Sequence, residues 1–453
     1  MRRLRPVREP STVRYERGVA AFGAVVLGIV ILCHRLGELP LAEAEAPLAI
    51  AIREHASGAP SPAPALVSPF TATVVLAGVA PRIWGEDELD LRLTGALSGA
   101  LMLALFVHLG GSLFDARTGA LAAILLVALP AGRLLLGRQL GAEPFVALTS
   151  LAALLAIWQL EHRRAAAVLA GVAGGATIAL SGASGLWLPV LAIGWLWLHR
   201  GLTWGSLGAV TGYAAATLAV AALGFALFAG RVSFAPLVDA VRVPTSFRPV
   251  AAACELLPLL PLLLLGLLLM PPGWTSSKPI RFVGLWVTLA LLACLAGGAI
   301  APVYAGVVLL VAAVVEQILE SASRRTAAVA VVLALAGAIV LTLARARAEA
   351  GEVLDRWAVR ESGRFVGRLI PADERIAAGD RVRARIAYYG NRQVERLGEP
   401  PTPGTDIDYV VLERTLVQHH DRNAPLPPLR SIAEFGGWAV ARVEAPASAA
   451  EKP

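Results

Sequence analysis

Apolar residues in this chain come in long unbroken runs. They do not show the two-residue alternation of strands, nor the one-sided stripe of helices resting on a soluble core. The runs fall at 18–34, 93–112, 118–136, 144–160, 165–181, 184–198, 205–229, 251–270, 281–299, 301–319 and 326–345. Most are long enough to cross a hydrocarbon layer of about 30 Å as a helix. Between the first run and the second lies a polar, proline-rich loop, 35–92, which carries Glu43, Glu45, Arg53, Glu54 and His55. Ionisable groups are costly in lipid. A chain that is otherwise so apolar concentrates its chemistry in such a loop.

Composition sharpens this picture. Of 453 residues, 57% are hydrophobic and 16% charged, which is more apolar surface than a soluble core can bury. The pattern is that of an integral membrane protein. The first run follows a basic tail, residues 1–17, without a persuasive cleavage site, so it reads as a retained anchor. The net charge of +7 is spread over short hinges and gathers on no soluble face, which argues against a nucleic-acid partner. Cys33, Cys254 and Cys294 lie in or beside apolar runs, as buried thiols do, and have no metal-ligand spacing. The tryptophans at 187, 195, 197, 204, 274 and 286 fall mainly near run ends, as an interfacial aromatic belt would.

The tail holds Arg2, Arg3, Arg5, Arg8, Arg14 and Arg17, which the positive-inside rule puts in the cytoplasm. If the segment 70–84 lies flat at the interface, the inner hinges carry Arg117, the stretch Glu161 to Arg164, His199 with Arg200, Lys278 with Arg281, and Arg324 with Arg325. If it spans instead, those basic hinges move outside. The first arrangement gives eleven crossings with the amino end in and the carboxyl end out. The outer face then gathers the loop 35–92, Arg92, the segment Arg133 to Glu143, the turn Ser181 to Ser184, the loop Arg231 to Pro249, and Tyr304. After the transmembrane part, 18–345, residues 346–445 read as a small soluble α/β unit. It has a helix over 355–369 and strands over 381–389, 409–413 and 438–443, and residues 446–453 form a disordered tail.

Three patches resemble the polyprenyl-phosphate-dependent glycosyltransferases of the GT-C membrane fold, in the protein mannosyltransferase and aminoarabinose transferase branch. The first is LAEAEAPLAIAIREHASG at 41–58. The second is GEDELDLRLTGALSGALMLALFVHLGGSLFDARTGALAAILLVALP at 85–130, and the third GRQLGAEP at 137–144. Fainter likeness runs through Gly174 to Pro189, Glu255 to Leu264, Tyr304 and the turn Tyr388 to Arg392. The resemblance implies a helical membrane bundle with a small outer α/β domain. It also implies an inverting transferase that takes sugar from a polyprenyl-phosphate donor in the membrane to a lipid, glycan or protein acceptor. Matching Arg53 and Glu54 puts Glu45 at the family's loop Glu and Ala44 at its Asp, with Glu43 one residue earlier. Val67, Ser181 and Val303 stand where the family has basic residues.

Such a transfer needs a carboxylate that orients or deprotonates the acceptor and cations that stabilise the leaving phosphate. Glu45 leads the carboxylates, with Glu43 behind it and Glu143 as the second loop acid. Arg92 and Arg138 are the donor-phosphate candidates, because guanidinium forks bind phosphate bidentately. His55 and Tyr304 are further substrate contacts, while Arg242 and Arg248 read as solvated loop cations. Glu43, Glu45 and Glu143 as ordinary interfacial acids, and Arg92 and Arg138 as snorkelling anchors, are the plainer alternatives. A chain that kept the fold, lost the donor lysines and now binds polyprenyl lipid or scaffolds an envelope assembly is the alternative function. A transporter fits less well, since few charges lie inside the runs.

Overall fold

The computed structural model describes residues 11–34, 36, 38, 40–43, 45–57, 75–85, 87–128, 140–160, 165–200, 204–229, 277–296, 299–321, 324–397, 407–418 and 429–443. Apolar helices dominate them. These are α1 (Ser11–Cys33), α4 (Glu88–Leu113), α5 (Ala116–Ala128), α6 (Glu143–Gln159), α7 (Ala165–Ser181), α8 (Trp187–Arg200), α9 (Trp204–Ala229), α10 (Lys278–Leu295), α11 (Ala301–Ser321) and α12 (Arg324–Leu369). Each overlaps an apolar run of the sequence. The run 251–270, Cys254, Arg138, Arg242 and Arg248 lie outside the described residues. By length and composition, three described stretches can cross a membrane: Glu88–Leu113, Lys278–Leu295 and Ala301–Ile318. Phe22, Ile124, Leu169, Leu198 and Leu218 point outward from the bundle, an arrangement that suits a hydrocarbon solvent rather than water.

Helices that pack without a hydrophobic driving force depend on close approach. The seam between α7 and α9 shows how. A Cβ on Gly171 would stand 2.5 Å from the Tyr213 carbonyl, and one on Gly175 would stand 2.6 Å from that of Thr217. The spacing of these two glycines lets the helices touch backbone to backbone. Trp195 and Trp286 are fully buried and Trp187 is nearly so, whereas Trp197 is exposed. Trp195 packs edge-on to Phe282 with ring centroids 4.8 Å apart and lies 5.6 Å from Trp158. The aromatic belt is therefore corrected at these positions. Rings near the ends of the runs fill gaps between helices as readily as they meet headgroups.

The segment described at 75–85 contains α3 (Val79–Trp84), a helix of six residues. At 1.5 Å per residue it is roughly 9 Å long, too short to span. Two of the basic hinges are placed by contacts at the helix ends. Arg117 lies 3.9 Å from Glu316, and the Lys278 ammonium lies 5.3 Å from the centre of the Trp158 ring. One end of the bundle gathers the amino ends of α4, α6 and α11, the carboxyl end of α1, and α2 (Ala46–Ser57).

The long helix α12 has 46 residues and runs unbroken through 345 and 346. The change in composition there falls inside one continuous helix and is not a break between elements. Beyond it come β1 (Ile376–Ala378), α13 (Asp380–Gly390), β2 (Glu395–Arg396), β3 (Tyr409–Glu413), α14 (Arg414–Gln418), β4 (Leu429–Phe435) and β5 (Trp438–Val443). The sheet order is β2-β1-β3-β5-β4, with β1 parallel to β2 and β3, and β5 antiparallel to β3 and β4. Val359, Val366, Val382 and Ile386 pack on one face, and Val417 on the other.

The strands at 409–413 and 438–443 match expectation, but 381–389 is helical. Within the alternating Val382, Ala384, Ile386 and Tyr388, the pair Val382 and Ile386 is also one helical turn apart and packs on the α/β core, and nine residues cannot separate the two periods. The ends decide. Gly379 is extended before the first turn, and Asn391 closes the last in the left-handed conformation at φ 49°.

Gly171→Leu drives a side chain into the Tyr213 backbone and should cost about 1–3 kcal/mol. At Gly194 an added Cβ meets nothing within 4 Å, so Gly194→Leu should be nearly neutral. Thermal unfolding in bicelles checks both.

Candidate functional site

Glu45 sits just before α2, where the chain turns from the loop into the helix, and its side chain is buried. A buried carboxylate must be paired or it shifts to its neutral form. This one is paired four times. Arg92 Nε donates to Oε1 at 3.2 Å and Arg92 Nη2 to Oε2 at 2.9 Å, a two-pronged fork. The Leu140 N–H donates to Oε1 at 2.6 Å and the Ala42 N–H to Oε2 at 2.6 Å. Each oxygen thus accepts two hydrogen bonds.

Arg92 lies on the first turns of α4 and is fully buried. It also donates to backbone, Nη1 to the Leu36 carbonyl at 3.2 Å and Nη2 to the Pro40 carbonyl at 3.4 Å. One ion pair therefore ties the exit of α1, the loop before α2, the start of α4 and the approach to α6. Leu41, Leu48, Ala49, Ile52, Ala77, Leu91, Leu140 and Tyr388 form a small apolar core at this end. Both side chains of the pair are buried, which strengthens it.

The other predicted residues fall as follows. Glu43 is exposed, with its carboxylate 3.7 Å from Arg381 on α13. Glu143 opens α6 and accepts from the Ala301 N–H at 3.2 Å, at the start of α11. Tyr304 is buried one turn into that helix. Glu43 and Glu45 share one loop, while Glu143 joins two helices beside it. His55 lies on α2, and Arg138 stands two residues before Leu140 outside the described residues. Among the described residues no three His, Cys, Asp or Glu side chains gather as a metal site.

Two charged residues at this end, Glu88 and Arg360, were not predicted. Glu88, buried in the first turn of α4, lies 3.3 Å from Nε of Arg360 on α12. Arg360 Nη1 also reaches the Glu38 carbonyl at 3.5 Å. An acid opening an apolar helix is the one sequence signal for Glu88; nothing local marks Arg360. The Leu41 N–H donates to the Tyr389 hydroxyl at 2.7 Å. Arg53 Nη1 donates to the Tyr388 carbonyl and to Asn391 Oδ1, both at 3.1 Å, and its guanidinium lies 4.1 Å from the centre of the Tyr388 ring. Burial pushes the Tyr388 phenol up to about 12 and raises that of Tyr389 as well. Both remain neutral groups at physiological pH. What this end offers chemically is one saturated carboxylate that fixes the loop and one exposed carboxylate beside it.

No family model matches the sequence, and no curated protein matches it. Solved structures do match. ArnT from Cupriavidus metallidurans in the apo state shares 15% identity at a TM-score of 0.65, over 94% of this chain and 99% of that one. The same protein bound to undecaprenyl phosphate gives 15% and 0.61 over 95% and 99%. The oligosaccharyltransferase AglB from Archaeoglobus fulgidus, in complex with an inhibitory peptide and a dolichol-phosphate, gives 14% and 0.52 over 90% of this chain and 70% of its own. These proteins have the GT-C fold expected from the three sequence patches, and this chain shares it.

Arg92→Ala leaves Glu45 buried without its countercharge and should lower the unfolding free energy by about 3–5 kcal/mol. Replacing both partners with apolar residues, Arg92→Met with Glu45→Leu, should cost less than Arg92→Ala alone. Thermal melts of the three proteins in one detergent check the order.

Proposed function

We propose that this protein is a membrane glycosyltransferase that moves a sugar from a polyprenyl-phosphate donor to an acceptor at the end of the bundle occupied by Glu45. The observation that carries the reading is the buried Glu45–Arg92 pair at the head of a long loop, within a fold shared along nearly its whole length with ArnT, whose structure was solved with undecaprenyl phosphate. Fold alone hosts many activities; the site is what favours this one.

The geometry supports a division of labour. Glu45 accepts four hydrogen bonds and has no lone pair to spare for an acceptor. It positions the loop. Glu43, two residues earlier and exposed, is the carboxylate able to meet an acceptor hydroxyl or amine and take its proton as the sugar transfers. The same accounting removes Arg92 from phosphate binding, since its fork is spent on Glu45. Arg138 is then the cation nearest in sequence to Leu140 for the leaving phosphate. Glu143, bound to the start of α11, acts as a joint between helices.

In this reading the basic-hinge end is cytoplasmic and the Glu45 end extracytoplasmic, with α12 carrying the small α/β unit outward. The eleven crossings include the run at 251–270. The polyprenyl chain enters sideways between helices, and the acceptor, whether lipid, glycan or protein, approaches from the water side.

Purified protein in lipid nanodiscs, supplied with polyprenyl-phosphate sugars, should transfer. Glu43→Gln should lose about a hundredfold in kcat, as removal of a general base does, with its melting temperature unchanged. Glu45→Gln should lose turnover and thermal stability together. Wild-type protein inert toward every donor while binding the bare lipid phosphate would replace the transferase with the non-catalytic binder.

A further inference from the structure

The contacts between α13 and the loop serve more than packing. Leu41 lies four residues before Glu45 and Arg53 eight after it, and both are held by one turn of chain far away in sequence. The Tyr389 hydroxyl takes the Leu41 N–H at 2.7 Å. The Tyr388 carbonyl and Asn391 Oδ1 take Arg53 Nη1 at 3.1 Å, with the Tyr388 ring under the guanidinium. A third contact on the same helix, Arg381 to Glu43 at 3.7 Å, falls between these two.

The turn itself is rigid. Asn391 is in the left-handed conformation, with its N–H on the Tyr388 carbonyl and the Arg392 N–H on that of Ala387. Arg392 then anchors to the carbonyls of Ile370 and Glu374 at 2.9 and 2.6 Å. On the far side a Cβ on Gly363 would stand 2.7 Å from Tyr389 Cβ, and one on Gly367 would stand 2.6 Å from the Gly390 carbonyl. Two glycines one helical turn apart let α12 hold the turn at backbone distance. Arg360, three residues before Gly363 on the same helix, grips Glu88 and the Glu38 carbonyl.

We infer that the turn Tyr388 to Asn391 is a positioning clamp for the carboxylate segment, gripping it at Leu41 and Arg53 so that Glu43 and Glu45 are held relative to the bundle. Tyr389 and Arg53 are its positioning residues. This inference rests on the transferase reading for its effect on rate, but not for its effect on motion. Once the clamp is released, the segment is tied to the bundle chiefly through Glu45. The loop then samples more positions, and fewer of them place Glu43 for transfer. The polyprenyl phosphate, bound elsewhere in the site, is unaffected.

Hydrogen exchange and kinetics on the full chain in nanodiscs test this together. The variants are Tyr389→Phe, which removes one hydroxyl, and Arg53→Ala. In both, exchange across 41–57 should rise by about tenfold, the scale on which losing a buried hydrogen bond moves a local opening, while peptides from 376–386 and 438–443 keep wild-type protection. With a working donor, kcat should fall about tenfold with the donor KM unchanged, and Arg53→Lys should recover part of it. Unchanged exchange in 41–57 overturns the clamp. So does a matching rise throughout 376–443, or a change in KM with kcat intact. If the wild type transfers no sugar but exchange behaves as stated, the clamp stands and the transferase reading fails.

Discussion

The buried ion pair of Glu45 and Arg92 organises the end of the bundle that holds the loop before α2. Glu45 and Arg92 are both nearly inaccessible to water, and a buried pair is stable only where every lone pair and every N–H finds a partner. That demand brings together Leu36, Pro40, Ala42 and Leu140, the backbone groups that complete it. It thereby fixes where α1 ends, where α2 begins and how α6 is approached. In lipid, no water can substitute for a missing bond. The segment before α2 can be held by so few residues because the penalty for undoing their bonds is so large.

From that constraint follows the arrangement of the second carboxylate and the small α/β unit. With Glu45 saturated, the loop presents Glu43 outward, within reach of α13. The long helix α12 continues as one wall of the α/β core and is tied to α4 through Arg360 and Glu88, so the turn that holds Leu41 and Arg53 is linked to the bundle by the same helix. Intrabundle packing through Gly171 and Gly175 and outer packing through Gly363 and Gly367 use the same device, backbone contact in place of side chains.

Much of this was legible in the sequence for one reason: apolar runs leave a helix few alternatives. The bundle helices follow from hydropathy and from the cost of charge in lipid. The motif at 41–58 pointed to Glu45, and the run at 85–130 to Arg92. That these two satisfy each other was not legible, because a guanidinium placed for phosphate and one placed for a carboxylate look alike in a string of letters. The helix at 380–390 was misread as a strand because nine residues fit both periods, and the deciding caps, Gly379 and Asn391, lie just outside them. Arg360 was invisible, since its partner stands on another helix hundreds of residues earlier.

The most direct test of the account is a cryo-EM structure of the full chain in nanodiscs with undecaprenyl phosphate. The account predicts phosphate density at the end of the bundle that holds Glu43 and Leu140, with the Glu45–Arg92 pair intact beneath it. Phosphate seated at the other end, among Arg117 and Lys278, or Arg92 turned away from Glu45 to hold it, would contradict the account.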